Sequence, residues 1–341
     1  MDDSLRTRWR EIACMSAIYD SPYYQPEYSL IAAQCREESR LLVCEDGSRI
    51  VGFLPFHRRN NFQADAVGQF LSDYQGPVHI PDFQWPLTDM LRAMKVRHYG
   101  FNHMPLQQKI FSAHAWTESR SLLMNLSGGF DAYSQDLTER RDASLLKKTK
   151  TNERKLQKKV GSLRFVMHDT SEKSYLALLH GKSEQFIRTV GADHDIFAMA
   201  WVRQMLNEIR RLQAPHFAGM LSTLYAGDEL IAAHFGMRSH NTLHYWFPWY
   251  STTFAEYSPG LILLAQCGQA AHEYGITKID LGRGEQAYKM RFANDAIPLC
   301  EGAISSPSIL SSAQSFLFRS KQSIKVSAIG RCMKKIKQGI K

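Results

Sequence analysis

Residues 257–292 constrain the fold more than any other stretch, because they read as helix, turn, strand, glycine-bracketed loop and second helix in immediate succession. Ser258 is of a type that caps a helix and Pro259 suits a first turn, while Leu261, Leu264, Ala265 and Ala271 keep helical spacing. The free N–H groups at such a helix end attract phosphate. The strand Lys278-Ile279-Asp280-Leu281 then ends in Gly282-Arg283-Gly284, which lets backbone approach a ligand closely and leaves Arg283 beside it. Tyr288, Lys289 and Arg291 follow on the second helix.

The rest of the second half keeps the same alternation. A strand over 163–168 precedes helices over 174–190 and 197–211. Three strands follow over 217–225, 229–239 and 242–250, joined by the tight-turn sequences Ala226-Gly227-Asp228 and His240-Asn241. A last strand is expected over 298–304. In the first half, runs over 40–44 and 49–56 flank Glu-Asp-Gly-Ser, a hairpin signature. A helix over 85–94 and strands over 96–101 and 121–126 follow, with an unreadable stretch up to Trp116. Residues 70–78 form a polar-aromatic turn. It either lines a cleft or is a surface loop capped by Asp73, and from residue types alone the surface loop is the default.

Composition excludes several classes. With 44% hydrophobic and 22% charged residues in 341, the chain can bury a large core, and its length favours two domains. The six cysteines, Cys14, Cys35, Cys44, Cys267, Cys300 and Cys332, show neither metal-ligand spacing nor disulfide density, so no metal is expected and a reducing cytoplasm fits. No stretch has the apolar length of a membrane span or the apolar core of a signal peptide. The net charge of +9 is local: eight basic and no acidic residues follow Glu301, which leaves the body nearly neutral. In that tail Ile329, Met333, Ile336 and Ile340 keep helical spacing with lysines opposite, the pattern of a helix lying on an anionic membrane surface.

Two further segments each have two readings. Residues 140–159 place Lys147, Lys148, Lys150, Arg154, Lys155, Lys158 and Lys159 on a helix whose apolar positions are Leu145, Leu146, Leu156 and Val160. That face either meets an anionic ligand, such as a phosphate-bearing carrier, or is simply solvated; the lack of an aromatic platform argues against nucleic acid. In the aromatic run 244–250, alternation sends Tyr245, Phe247 and Trp249 to one face and Trp246 and Tyr250 to the other, which makes a central strand with core packing as default and sugar stacking as the alternative.

The order of elements, Tyr257-Ser258-Pro259-Gly260, Asp280-Leu281-Gly282-Arg283-Gly284 and Tyr288-Lys289-x-Arg291-Phe292 resemble a GNAT N-acetyltransferase domain, and more closely the CelD/BcsL-type acyltransferases of bacterial polysaccharide biosynthesis. Ser21-Pro22-Tyr23, Leu54-Pro55 and Leu71-Ser72-Asp73-Tyr74 extend the resemblance through the first half, over about residues 18–305. It implies an α/β (α+β) chain of two GNAT-like halves with mixed, mostly antiparallel sheets, as in Fem-type aminoacyltransferases. The halves are expected over 1–135 and 136–308, with a basic tail over 309–341. It further implies N-acyl transfer from acetyl-CoA or another acyl-CoA, without a metal, to an amino group on an amino sugar or lipid-linked precursor. The setting implied is the cytoplasm or the inner face of the cell membrane. Where GNAT domains offer several phosphate-binding glycines, this chain has only Pro259-Gly260 after Ser258, so a carrier protein or an aminoacyl-tRNA remains a possible donor. A non-catalytic binding module is the other functional class.

An amine attacking a thioester must lose a proton while negative charge develops on the thioester oxygen. The resemblance implies that backbone N–H groups near residues 247–250 meet that oxygen. No signature of a covalent nucleophile is present. Asp73 and His234 are the candidate bases, with a half-buried strand histidine the bland account of His234, and Tyr288 is the candidate proton donor. Tyr257, Ser258, Pro259 and Gly260 are expected at the donor. Asp280, Arg283, Gly284, Lys289 and Arg291 are expected at the acceptor side, with one of the three cations instead pairing Asp280 or Glu285.

Overall fold

The computed structural model describes residues 1–139 and 144–306. The first half runs α1 (Asp3–Ala13), α2 (Pro26–Cys35), β1 (Ser39–Asp46), β2 (Arg49–Arg58), β3 (Gln63–Ala66), β4 (Val78–His79), α3 (Leu87–Ala93), β5 (His98–Pro105), α4 (Lys109–Ser112), β6 (Ala115–Asn125) and α5 (Gly129–Leu137). The second runs α6 (Ser144–Val160), β7 (Leu163–Val166), α7 (Glu172–Val190), α8 (Ala200–Arg211), β8 (Gln213–Ala214), β9 (Phe217–Ala226), β10 (Glu229–Ser239), β11 (Thr242–Tyr250), α9 (Pro259–Ala270), β12 (Lys278–Arg283), α10 (Ala287–Phe292) and β13 (Asp295–Ser305). The tail from 307 onward, with its expected membrane helix, lies outside the described residues. Among the described residues no helix is long and apolar enough to cross a membrane.

All strands join one mixed sheet, with β1-β2-β3-β5-β13-β6-β12-β11-β10-β9-β7 as its main order. Each half contributes one parallel pair, β3 with β5 and β11 with β12, and the strand that follows each pair crosses to the other half. After β5 the chain sends β6 to pair with β12; after β12 it sends β13 to pair with β5. These two exchanged strands pair with each other in the middle, from Asp295 opposite Leu123 to Gly302 opposite Ala115. The two parts of the chain on either side of the expected boundary near residue 135 thus share one continuous hydrogen-bonded sheet.

Three apolar clusters cover the two faces. One is shared by both halves: Trp9, Tyr28 and Phe53 from the first meet Met205, Phe235 and Phe247 from the second, and the Trp9 ring stacks on Phe53 at 4.8 Å. On the opposite face, α9 buries Ile262, Leu263 and Leu264 in the second half, and Trp85, Tyr99 and Phe101 fill the first. Burying a ring such as Trp9 makes its loss to alanine cost about 3–5 kcal/mol, a large share of a domain's stability.

Two local expectations are corrected. Strict alternation in β11 fails because its register with β10 slips between Phe235–Phe247 and Met237–His244, leaving an extra residue on β11. Tyr245 consequently packs in the α9 cluster while Phe247 packs in the shared one. Ser258 does not cap α9 with its side chain: its backbone is left-handed, at φ 53°, and its carbonyl instead accepts from Leu261 N–H at 2.9 Å. Pro259 does occupy the first turn of the helix.

Reciprocal strand exchange leaves each half without its central neighbour when the other is absent. Fragments 1–139 and 144–341 expressed apart should give aggregated or unfolded chains by circular dichroism, and co-expression should recover a soluble complex. A fragment that folds alone with native-like thermal cooperativity would show that the exchange is dispensable.

Candidate active site

The site forms where the parallel pair β11–β12 stops. Its last matched residues are His244 and Asp280; beyond them β11 runs on to Tyr250 without β12 beside it. A strand edge opened in this way presents backbone N–H and C=O groups to whatever enters the gap. Into the fork come the loop carrying Asp73 and the end of β5, with Asn102 and His103. Gly282 makes room for this approach: at φ 74° a Cβ there would stand 3.1 Å from Asp73 Oδ2 and 3.5 Å from Lys289 Nζ. The loop at 70–78 is thus a cleft wall, and the surface-loop default for Asp73 is set aside.

His244 is fully buried between two carboxylates from different halves. Its Nε2 donates to Asp73 Oδ2 at 3.0 Å and its Nδ1 lies 3.8 Å from Asp280 Oδ1. Asp280 Oδ1 also accepts from Ser121 Oγ at 2.6 Å and from Gly282 N–H at 2.8 Å. Burial alone would push the imidazole down, but the charges of Asp280 and Asp73, with the hydrogen bond to Asp73, outweigh it and raise His244 to about 9. Burial likewise favours protonation of both carboxylates, yet the His244 charge, with the Ser121 hydrogen bond, holds Asp280 below its ordinary value, and the His244 hydrogen bond and charge bring Asp73 to about 2. At neutral pH the group is an imidazolium between two carboxylates. Asp73 is its accessible member, with 24% of its side chain exposed.

His103 has the opposite character. The backbone N–H of Asn102 donates to Gln75 Oε1 at 2.8 Å, so the Gln75 amide turns its Nε2 toward Asn102 Oδ1, also at 2.8 Å. That oxygen only accepts, so His103 Nδ1, 2.7 Å away, carries the proton. His103 Nε2 is left as a lone pair 3.7 Å from Asp73 Oδ1, on a side chain 13% exposed. Burial lowers this imidazole to about 4, against the pull of Asp73 and helped by Arg283, His244 and Lys289, so it is neutral at pH 7.

Cations close the other side. Lys289 Nζ donates to the Arg283 carbonyl at 3.0 Å, and burial lowers its ammonium although Asp73 and Asp280 oppose this. Arg283 donates through Nη1 to the Asn102 carbonyl at 2.9 Å, and its Nη2 stands 4.0 Å from Glu301. Glu285, by contrast, faces Arg120 at 3.5 Å.

Of the expected residues, the fold brings Asp73, Asp280, Arg283 and Lys289 together, with Gly282 as the hinge between them. Gly284 is turned to φ 120° beside Gln286, and Arg291 is half-buried on α10. Tyr288 points the other way, into the α9 cluster, where burial raises its hydroxyl. His234 lies in the sheet core, stacked on Tyr245 at 3.8 Å and lowered by burial to about 3. Neither joins the Asp73 group. Tyr257, Ser258, Pro259 and Gly260 form the turn into α9, with Gly260 under the Tyr250 ring. His244 and His103 are the residues that sequence reasoning missed. The available signal for His244 was one titratable group inside an otherwise apolar strand; His103 lies in a stretch without readable periodicity. Among the described residues no cluster of side chains is arranged to hold a metal.

Residues 143–290 match the family model described as acetyltransferase (GNAT) domain, and the protein is an acyltransferase. A comparison with curated protein sequences gives no match. Among solved structures the fold is similar to the C-terminal domain of a protein assigned as a lysylphosphatidylglycerol synthetase from Agrobacterium fabrum. Identity is 13%, the TM-score 0.57, and 93% of this chain and 95% of that one are covered. A conserved protein of unknown function from Bacteroides thetaiotaomicron gives 10% identity and a TM-score of 0.56 over 88% of this chain and 97% of that one. A tandem GNAT protein from the clavulanic acid pathway gives 10% identity and a TM-score of 0.48 over 90% and 97%.

Because the folded state raises His244 from 6.5 to about 9, its contribution to stability is complete below pH 6.5 and lost as pH rises through 9. That contribution is about 3 kcal/mol for a group this deeply buried. The two carboxylates act in the opposite direction, losing their contribution only as pH falls below 3.8. Melting temperature should therefore fall between pH 6.5 and 9 in the native chain. His244→Gln should lose about 3–5 kcal/mol at neutral pH, since two buried carboxylates then lack their counter-charge, and should lack that alkaline decline. An alkaline decline equal in both proteins would assign it to another group.

Proposed function

We propose that the chain transfers an acyl group from an acyl thioester directly to a primary amine, with the Asp73–His103 edge of the cleft receiving the amine and the β11–β12 fork receiving the thioester. The observation that carries this reading is the pairing of a partly exposed carboxylate with a neutral imidazole lone pair at the open end of a splayed parallel strand pair. The amine on an amino sugar or lipid-linked sugar precursor is the acceptor the sequence resemblance favours, with acetyl-CoA the simplest donor.

Each group then has one task. Asp73 accepts an N–H of the incoming amine and orients its lone pair. His244, already an imidazolium, holds Asp73 ionised, and together with Lys289 and Arg283 it disfavours a fourth cation, so the amine is held neutral. When nitrogen bonds to the thioester carbon it becomes positively charged and far more acidic than a free ammonium. A base as weak as His103 then suffices to take its proton. Oxygen charge develops at the fork, where β11 backbone beyond His244 has no neighbour on the β12 side. Collapse expels the thiolate, and the proton passes from His103 to sulfur.

With an acyl thioester and a panel of amino sugars, thiol release should show His103→Gln losing about 10²- to 10⁴-fold in kcat. Asp73→Asn should act mainly on KM for the amine. The acid limb of kcat in the native enzyme should fall near pH 4 and not near 6.5. Full kcat in His103→Gln would remove it as base. Activity abolished by ribonuclease would establish a tRNA-borne aminoacyl donor instead, the reading that the fold's likeness to the lysylphosphatidylglycerol synthetase domain favours second.

A further inference from the structure

The basic face of α6 runs to the donor turn. Among its residues, Lys147, Lys148, Lys150, Arg154, Lys155, Lys158 and Lys159 are all exposed, whereas its one acid, Glu153, is half-buried and accepts from Gln266 on α9 at 2.6 Å. Leu145 and Leu156 anchor the opposite face against α9. Since α6 and α9 lie antiparallel, the C-terminal end of α6 reaches the turn that opens α9. There Lys159 Nζ pairs with Glu256 at 3.1 Å and lies 5.4 Å over the Tyr257 ring. At a rise of about 1.5 Å per residue, the cations from Lys147 to Lys159 form a ramp about 18 Å long ending at the donor turn.

The turn itself offers little to a diphosphate. Across residues 258–262, Ser258 N–H is taken by the Ala255 carbonyl at 3.0 Å, and Leu261 and Ile262 N–H by the Ser258 carbonyl at 2.9 and 3.3 Å. Pro259 has no N–H. Gly260 alone keeps a backbone donor without a backbone acceptor, enough for an oxygen of one phosphate. Coenzyme A carries a diphosphate and a further phosphate on its ribose. A pantetheine arm attached to a protein carries a single phosphodiester.

We infer that the acyl donor is delivered by an acidic carrier protein that docks on the exposed face of α6 and inserts its phosphopantetheine thioester past Gly260 toward the β11–β12 fork. This rests on the acyl-transfer reading and specifies its donor. In the transfer, the amine nitrogen bonds the acyl carbon, the carbon–sulfur bond breaks, and the amine proton ends on the sulfur of the carrier's arm. A nucleic acid is disfavoured because the exposed face of α6 has no aromatic group on which bases stack. A membrane is disfavoured because α6 spends its apolar residues on α9 and has none left to insert.

The test measures binding to the full chain of an acetylated, phosphopantetheinylated bacterial acyl carrier protein by fluorescence anisotropy, with acetyl-CoA and anionic phosphatidylglycerol vesicles as separate ligands. The native chain should bind the carrier at low salt and release it as salt rises. The triple variant Lys147→Glu, Lys150→Glu, Arg154→Glu, with its melting temperature checked, should lose tenfold or more in carrier affinity relative to its affinity for acetyl-CoA. Binding of acetyl-CoA without any binding of the carrier overturns this inference and leaves the acyl-transfer reading standing. Binding of neither thioester overturns both. Sedimentation with the vesicles but no carrier binding assigns α6 to a lipid surface, and an unchanged affinity in the triple variant removes α6 from the interface.

Discussion

The imidazolium of His244, held between Asp73 and Asp280, is the interaction on which the site depends. Two carboxylates within reach of one another do not both stay ionised in a protein interior unless a cation lies between them. Here that cation is fully buried and its two partners come from opposite halves. Around it Lys289 and Arg283 face Asp73, Asp280 and Glu301, so three cations meet three carboxyl groups. Glu301 alone is shifted toward its neutral form, by burial against the pull of Arg283. Charge compensation on this scale requires the halves to be locked in register, and the continuous sheet supplies the lock.

Strand exchange is what makes that register possible. Asp280 sits on β12, whose other neighbour is β6 from the first half, and Ser121 on β6 donates to the Asp280 carboxylate. The loop bearing Asp73 reaches the same carboxylate group by way of His244, while Asn102 on β5 receives Arg283 from the end of β12. Every polar link across the cleft therefore runs between residues anchored on strands of the shared sheet or on loops tied to it. A cleft between two independently hinged domains would not hold a 3.0 Å contact from Asp73 to His244 without further closure.

The fold was largely legible from periodicity because its elements are short, amphipathic and punctuated. Gly227 and His240 at the hairpin turns adopt left-handed backbone, as turn chemistry requires, and Pro259 opens its helix. Local patterning, however, does not determine which strands pair at a distance. Ala115–Asn125 reads the same whether it belongs to the first half or the second, so the exchange of β6 and β13 was invisible. Asp73, Asp280, Arg283 and Lys289 stood out because charged groups beside glycines and turns are conspicuous. His244 did not, because its neighbours in sequence are the aromatic residues of a core strand. The bulge that separates Tyr245 from Phe247 adds one unpaired residue whose position no residue type announces.

The two missed histidines explain how one cleft can hold both a fixed charge and a neutral imidazole. They share Asp73: His244 touches one oxygen at 3.0 Å and His103 stands 3.7 Å from the other. Only His244 donates to the carboxylate, because the proton of His103 is on Nδ1, toward Asn102. His244 has a second carboxylate behind it and becomes a permanent cation; His103 has an amide oxygen behind it and Arg283 nearby, and stays neutral. Environment has thus driven two identical side chains apart, one up to about 9 and one down to about 4, so that one carries a charge and the other keeps a lone pair at neutral pH. Exchanging their surroundings would reverse both states: a neutral imidazole between Asp73 and Asp280 could not keep both carboxylates ionised, and an imidazolium at His103 would have no lone pair with which to accept a proton.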